Sequence, residues 1–309
     1  MKRLIKNVLK TALVKFFHFM QRLGVDVLPR NFYSEIPDIH KLKNTEHWRK
    51  PFSMIGIDGA GIEQQFKFIA ETVPNDLSRA LPTLNVHNDA CLRNGEPGYG
   101  RVEADFLYAF VLKYRPSKIM QIGCGVSTAI CLAAAKAANY KPEIICIEPY
   151  PTTFLLQAAA ASEIKLIEKP VELIEYDVLN ELTDGDLFFV DSTHTLGPGG
   201  EVSRIILEML PRLSKGVYVH FHDIAFPYDY QGDILQSALF FWHETSLLHA
   251  FLVGNSRVSL LASLSMLHYS NQAELQKYLP NYQPRISQQG ITTSEGDYPS
   301  SIFLKLVLA

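Results

Sequence analysis

The stretch Ile119-Met120-Gln121-Ile122-Gly123-Cys124-Gly125-Val126-Ser127-Thr128 decides the fold. An apolar run ends in Gly-x-Gly, and a helix-compatible segment then opens with Ser and Thr. The pattern reads as a buried strand, a tight turn and a helix N-terminus. Two glycines let the backbone turn sharply and let a ligand lie against it without meeting a Cβ. The free N–H groups of the new helix, at Ser127 and its neighbours, favour polar ligand groups. Doubly wound α/β domains hold a nucleoside-like cofactor at such a turn. Gly-x-Gly alone is common, so the surrounding pattern has to carry the weight.

Outward from this turn, strands and helices alternate. Strands are expected at Ile119–Ile122, Ile144–Ile147, Ile164–Ile167, Leu187–Val190 and Gly216–Phe221. Helices are expected at Thr128–Ala138, Thr152–Ala161, Val202–Leu213 and Ile234–Leu248. Short apolar runs alternating with helical periodicity predict a parallel sheet covered on both faces. Val258–Leu261 and Ile302–Val307 can add two more strands, with the polar stretch 271–301 read as a long loop, a candidate lid. Upstream, Ile62–Thr72 and Val102–Tyr114 read as helices, the second with Glu103 and Asp105 in its first turn, where the helix dipole favours them.

Ligands in α/β sheets bind at the carboxyl ends of the strands. Glu148 ends the second strand, placed to accept hydrogen bonds from ribose hydroxyls. The third strand leads to Glu172, near the expected position of the nucleoside base. The fourth strand gives Phe189-Val190-Asp191-Ser192-Thr193-His194, and the fifth gives His220-Phe221-His222-Asp223. Asp191 and His194 on one strand end can converge with His222 and Asp223 on the next. Such a cluster can hold a divalent cation, a general base, or both.

These segments together, with Ile147-Glu148-Pro149, Phe221-His222-Asp223-Ile224-Ala225-Phe226-Pro227 and the upstream Phe32-Tyr33-Ser34-Glu35-Ile36-Pro37-Asp38, resemble class I S-adenosylmethionine-dependent methyltransferases. The nearest resemblance is to a bacterial group with Asp-Ser-x-His and His-Asp-Ile strand ends. It covers the chain from about residue 24 onward. The implied fold is a doubly wound, mostly parallel seven-stranded sheet, Rossmann-like, with an N-terminal helical extension. The implied cofactor is S-adenosyl-L-methionine, with Gln121, Gly123, Gly125, Ser127, Glu148, Glu172 and Asp191 facing it. The implied reaction is O-methylation of a hydroxyl on a small molecule or saccharide, with His194 as general base and Asp191 beside it. Asp191, His222 and Asp223 match the positions of metal ligands in metal-dependent members. Two positions depart from the pattern. Gln121 stands where an acid is usual, so a charged contact becomes an amide hydrogen bond. His222 stands where an oxygen ligand is usual, which counts against Mg²⁺ and leaves open a transition metal or none.

Composition fits a globular enzyme. The 309 residues are 47% hydrophobic and 20% charged, and a net charge of −3 gives no support for nucleic-acid binding. The four cysteines form no C-x-x-C pair, and Cys124, Cys131 and Cys146, in the apolar nucleotide-fold segment, read as reduced, buried thiols, which fits a reducing cytoplasm. Three divisions are expected: a basic amphipathic helix at 1–23, a leader segment at 24–100, and the cofactor domain at 101–309. The first helix carries Lys2, Arg3, Lys6, Lys10 and Lys15 among apolar residues at helical spacing. It either packs on the protein or on a second copy in a homo-oligomer, or lies peripherally on an anionic inner membrane face. Three competing classes remain. A nicotinamide oxidoreductase would want a third glycine where Thr128 stands. A hydrolase would use Ser127 as nucleophile. A non-catalytic scaffold would have no use for the polar strand ends.

Overall fold

The computed structural model describes residues 2–45, 47–230, 240–287, 290–292 and 298–308. The chain divides into two units, Met1–Thr45 and Glu46–Ala309. The first holds α1 (Lys2–Gln21) and α2 (Ile39–Lys43), the latter capped by the Asp38 carboxylate on the Lys41 N–H. Along α1, Leu9, Phe16 and Phe19 are exposed. No helix among the described residues is long and apolar enough to cross a membrane.

The second unit begins with α3 (Ile62–Thr72), α4 (Asn75–Leu84), α5 (Val86–Asn94) and α6 (Arg101–Tyr114). Then β1 (Lys118–Ile122), α7 (Val126–Ala137), β2 (Glu143–Ile147), α8 (Thr153–Ala160), β3 (Lys165–Ile167) and β4 (Leu187–Val190) alternate as expected. After β4 a short α9 (Glu201–Ser203) passes into a π-helical turn at Arg204–Met209 and a 3-10 turn at Leu210–Arg212. Pro211, which has no N–H to donate, falls in that last turn. The remaining elements are β5 (Tyr218–Phe221), α10 (Glu244–Leu252), β6 (Val258–Ser263), α11 (Leu264–Ser270), α12 (Gln272–Tyr278), β7 (Arg285–Ser287), β8 (Gly290–Thr292) and β9 (Ile302–Leu306).

Seven strands form one sheet in the order β3-β2-β1-β4-β5-β9-β6. The first five are parallel to their neighbours. Only β9 runs against the rest, pairing antiparallel with both β5 and β6. The doubly wound, mostly parallel expectation is therefore borne out. Two sequence expectations need correction. The segment 271–301 is not a structureless loop, because Asn271 caps α12 and β7 pairs with β8. The helix expected at Ile234–Leu248 falls partly outside the described residues, and the helix present there is Glu244–Leu252.

Two apolar cores sandwich the sheet, and side-chain alternation assigns residues to them. In β4, Leu187 and Phe189 face one core while Phe188 and Val190 face the other. The first core is built by α3 to α8 around Phe106 and Phe110, so residues 62–94 share it with the sheet. By the same alternation, Gln121 and His220 point into that first core rather than toward the second.

Helix α6 is buried nearly all round, and so are its acids Glu103 and Asp105. Asp105 is 1% exposed, and burial pushes its carboxyl up to about 6 despite a hydrogen bond from Asn281. The stabilisation from holding that proton is present below the unfolded pKa and is lost as pH rises through about 6. Asp105→Asn, which keeps the acceptor oxygen but cannot ionise, should therefore raise the melting temperature at pH 8 and change it little at pH 4. The difference corresponds to about 3 kcal/mol at most. Equal effects at both pH values would contradict the buried-acid assignment.

Candidate active site

Strand register lines up four strand ends. Ile122 pairs with Ile147 and Val190, and Val190 pairs with Phe221. The next residues, Gly123, Glu148, Asp191 and His222, therefore form a row along the carboxyl edge. Backbone hydrogen bonds hold it: Gly123 N–H to Ile147 O at 3.3 Å, Asp191 N–H to Ile122 O at 2.8 Å, and His222 N–H to Val190 O at 2.9 Å.

The turn after β1 requires its glycines. Gly123 has φ +75°, and a Cβ there would lie 2.0 Å from the Asp191 carbonyl oxygen. Gly125 has φ +150°, and a Cβ there would press on the Asn94 amide at 3.2 Å. Glu148 reaches back across the turn: Oε2 accepts from Cys124 N–H at 3.2 Å and Oε1 from Tyr150 N–H at 2.9 Å. Its carboxylate is thereby fixed beside the glycines and is partly exposed.

Gln121 and Ser127 take a different place from the one read in the sequence. Gln121 is fully buried; its Nε2 donates to Ser127 Oγ at 3.2 Å and its Oε1 accepts from Thr128 Oγ1 at 2.8 Å. Thr128 Oγ1 in turn accepts from Gly125 N–H at 3.3 Å. This network pins the start of α7 from beneath the turn. An amide suits it better than a carboxylate, because only an amide can both donate and accept. Ser127, buried and bonded to Gln121, is not the exposed nucleophile a hydrolase needs. Glu172 lies in a 3-10 turn at Val171–Leu173, and its charge is felt at Glu201.

Beside the turn, Asp191, His194, His222 and Asp223 converge. His194 Nε2 lies 3.6 Å from both Asp191 Oδ1 and Asp223 Oδ2. His222 Nδ1 lies 3.2 Å from Asp191 Oδ1 and 3.7 Å from Asp223 Oδ2. The outer nitrogen of each ring is also engaged. His194 Nδ1 donates to Glu244 Oε2 at 2.7 Å, and His222 Nε2 donates to Glu103 Oε2 at 3.0 Å. Glu244 is 1% exposed and Glu103 2%. Glu103 Oε1 accepts further bonds from Ser300 and Ser301, and Glu244 Oε1 from Ser192 Oγ. Two non-glycine residues of the cluster have left-handed backbone, His194 (φ +60°) and Asp223 (φ +56°). Such strain persists only where surrounding structure imposes it, and it concentrates at functional sites.

The electrostatics follow from this crowding. Burial draws His194 toward neutrality, but hydrogen bonds to Asp191 and Glu244 and the charge of Asp223 push its pKa up to about 10. Burial acts the same way on His222, yet Asp223, Glu103 and Asp191 hold its pKa well above the ordinary histidine value. Burial alone would raise Asp191; the two imidazoles outweigh it and keep that carboxyl well below the usual range. His220, facing the first core between Phe189 and Phe303, is driven the other way by burial.

Aromatic residues flank one side of the cluster. The ring centroids of Trp242 and Phe240 lie 6.1 and 6.4 Å from that of His194, and Tyr230 stacks on Trp242 at 6.1 Å. Phe226 instead is fully buried against His249, and Tyr228 packs on Tyr269. Among these described aromatics Phe240 is exposed beside His194, whereas Trp242 is 3% exposed. Glu103 and Glu244 were not among the sequence candidates. Glu103 had a bland explanation in the helix dipole, and Glu244 follows an aromatic run with no spacing signal.

A Gly-x-Gly turn and a strand-end carboxylate on this sheet, with its single reversed strand, define the fold of class I S-adenosylmethionine-dependent methyltransferases. Residues 120–224 match the family model described as a methyltransferase domain. The match runs from β1 to just past β5 and contains the whole row of strand ends, so the resemblance read from the motifs is borne out. An uncharacterized protein of Archaeoglobus fulgidus is 29% identical over 184 residues, 57% of this chain and 80% of its own length. A candidate O-methyltransferase from Klebsiella pneumoniae has a TM-score of 0.45 at 16% identity, covering 72% of this chain and 90% of its own. A Podospora anserina methyltransferase solved with S-adenosylhomocysteine has a TM-score of 0.40 at 14% identity, covering 91% of this chain and 99% of its own. Neither structural likeness is close enough to carry a residue role or a substrate across.

Proposed function

We propose that this chain transfers a methyl group from S-adenosylmethionine to a hydroxyl of a small-molecule or saccharide acceptor. The observation that carries this reading is the row Gly123, Glu148, Asp191 and His222 along one sheet edge. The turn at 123–125 lies where such sheets take a nucleoside, and the Glu148 carboxylate beside it suits the ribose hydroxyls. The bound cofactor supplies an already activated methyl group. The chain's own task is to hold the acceptor oxygen in line with it, and such positioning lowers the barrier by several kcal/mol. The cluster on β4 and β5 borders the turn, and the exposed Phe240 ring beside His194 offers an apolar surface to an acceptor.

The role of His194 differs from the sequence expectation. A general base needs a neutral imidazole, whereas three carboxylates keep this ring protonated at neutral pH. The ring instead pairs by charge with Asp191 and Asp223, 3.6 Å from each, across the strand ends. Four carboxylates face two imidazoles here, so the rim keeps an excess of negative charge. That charge favours the sulfonium.

Glu148→Ala tests the ribose assignment. Losing a carboxylate's hydrogen bonds should weaken S-adenosylhomocysteine binding by about 10–100-fold, at about 1.5–3 kcal/mol per charged bond. Calorimetric titration reads the change, and unchanged affinity would remove Glu148 from the site. The reaction itself is checked by release of S-adenosylhomocysteine from S-adenosylmethionine across a panel of sugar and phenol acceptors. Silence across a broad hydroxyl panel, with turnover on amines, would replace oxygen by nitrogen as the acceptor atom.

A further inference from the structure

The segment 1–25 carries a charge pattern of its own. It holds six basic residues, Lys2, Arg3, Lys6, Lys10, Lys15 and Arg22, and no acid precedes Asp26. The whole chain has a net charge of −3, so the remainder is acidic. Helical winding adds a second asymmetry along α1. At about 100° per residue, Leu9, Leu13, Phe16, Phe17, Phe19 and Met20 fall on one half of the helix, with Ala12 among them. Lys10, Thr11, Lys15, His18 and Gln21 fall on the other half, where Val14 is the one apolar residue from position 9 onward. The apolar half lies in water: Leu9 is 64% exposed, Phe16 47% and Phe19 58%. Contiguous apolar surface rimmed by polar residues marks an interaction site.

We propose that α1 lies along an anionic lipid surface, with its phenylalanine face at the boundary between headgroups and acyl chains and its lysines among the lipid phosphates. A helix with Phe and Leu on one face and lysines on the other has the composition of helices that rest in the membrane interface. It lies on the surface rather than through it, since no helix among the described residues is long and apolar enough to cross a membrane. A second copy of this chain could cover the phenylalanines only by bringing two cationic helices together, at a cost in like-charge repulsion. Acidic headgroups cover the same face and neutralise the charge. Each basic side chain near such a surface strengthens binding about fivefold. This reading concerns the segment before Asp26 alone and does not depend on the occupancy of the 123–125 turn.

Co-sedimentation of the full chain with lipid vesicles tests it. The vesicles are phosphatidylcholine alone, or an equal mixture of phosphatidylcholine and phosphatidylglycerol. The expected result is binding to the mixed vesicles at least about 10-fold tighter than to the neutral ones, and at least about 10-fold weaker when NaCl rises from about 0.1 M to about 0.5 M. Lys10→Gln/Lys15→Gln, at two exposed positions, should weaken binding to the mixed vesicles about 25-fold, at about fivefold per cation. Phe16→Ser/Phe19→Ser should weaken it by about 10-fold or more per ring. Lys136→Gln/Lys141→Gln removes the same charge at exposed positions outside the segment and should leave binding within about twofold of the parent. Thermal melts matching the parent's show that the variants stay folded. Absence of binding to the mixed vesicles, equal binding to both kinds, or equal losses in the two lysine pairs would each overturn the proposal. So would a parent dimer that lipid does not dissociate and that Phe16→Ser/Phe19→Ser turns into a monomer in sedimentation equilibrium, because a second copy would then cover the face.

Discussion

Gly123→Ala is expected to destabilise the protein by about 2–5 kcal/mol and to abolish measurable binding of S-adenosylhomocysteine. Two separate penalties combine. A left-handed backbone at an alanine costs about 1–2 kcal/mol. The new Cβ would also sit 2.0 Å from the Asp191 carbonyl oxygen, which is main chain and cannot rotate away. Relieving such overpacking costs about 1–3 kcal/mol. The relief must push apart the ends of β1 and β4, where Asp191 N–H bonds to Ile122 O at 2.8 Å. Asp191 would then leave its place in the row, and the cofactor surface would be lost with it. Gly185→Ala is the matched control, because Gly185 has φ +89° and open space around its Cβ position. It should show the backbone penalty alone in a thermal melt and bind S-adenosylhomocysteine as the parent does. Equal behaviour of the two variants would mean that the strand ends are not packed as described.

His194→Ala is expected to lower turnover by about 10²-fold while leaving S-adenosylhomocysteine affinity within a few-fold of the parent. The ring is the link among Asp191, Asp223 and Glu244. Without it the buried Glu244 loses its cationic partner and keeps the Ser192 hydroxyl at its Oε1, while Asp191 and Asp223 retain His222 between them. Leaving a buried carboxylate unpaired is costly, so Glu244 and the start of α10 must shift. That shift misplaces the acceptor while the β1–β4 pairing, the glycine turn and Glu148 stay intact. The measurement is a pair: initial rates with an active acceptor, and calorimetric titration with S-adenosylhomocysteine. Loss of both in equal proportion would place His194 in cofactor binding rather than in the reaction.

Much of the fold was legible because it rests on alternation between short apolar runs and helical periodicity. Leu187–Val190 and the strand at Ile302 were read close to their observed limits. The Gly-x-Gly turn was legible for the same reason that it is constrained: neither position tolerates a Cβ freely. The helices at Asn75–Leu84 and Val86–Asn94 were not anticipated, although Leu77, Leu81 and Leu84 repeat at helical spacing. Polar residues dilute that signal, and the interior Pro82 masks it further. Gln121 was misplaced for a different reason. Its period-two position after Ile119 already turns it toward the first core, but a motif analogy drew it toward the ligand. The orienting acids Glu103 and Glu244 were out of reach, since they meet the histidines across 119 and 50 residues of chain. Contacts of that kind are set by sheet register and helix packing, which no local pattern encodes.

The most direct test is calorimetric titration of the purified, folded chain with S-adenosylhomocysteine, run beside Glu148→Ala under the same conditions. Saturable one-to-one binding by the parent, with a markedly weaker isotherm for the variant, is the predicted result. A flat isotherm for a parent whose thermal melt is cooperative would contradict the assignment of the 123–125 turn to that nucleoside.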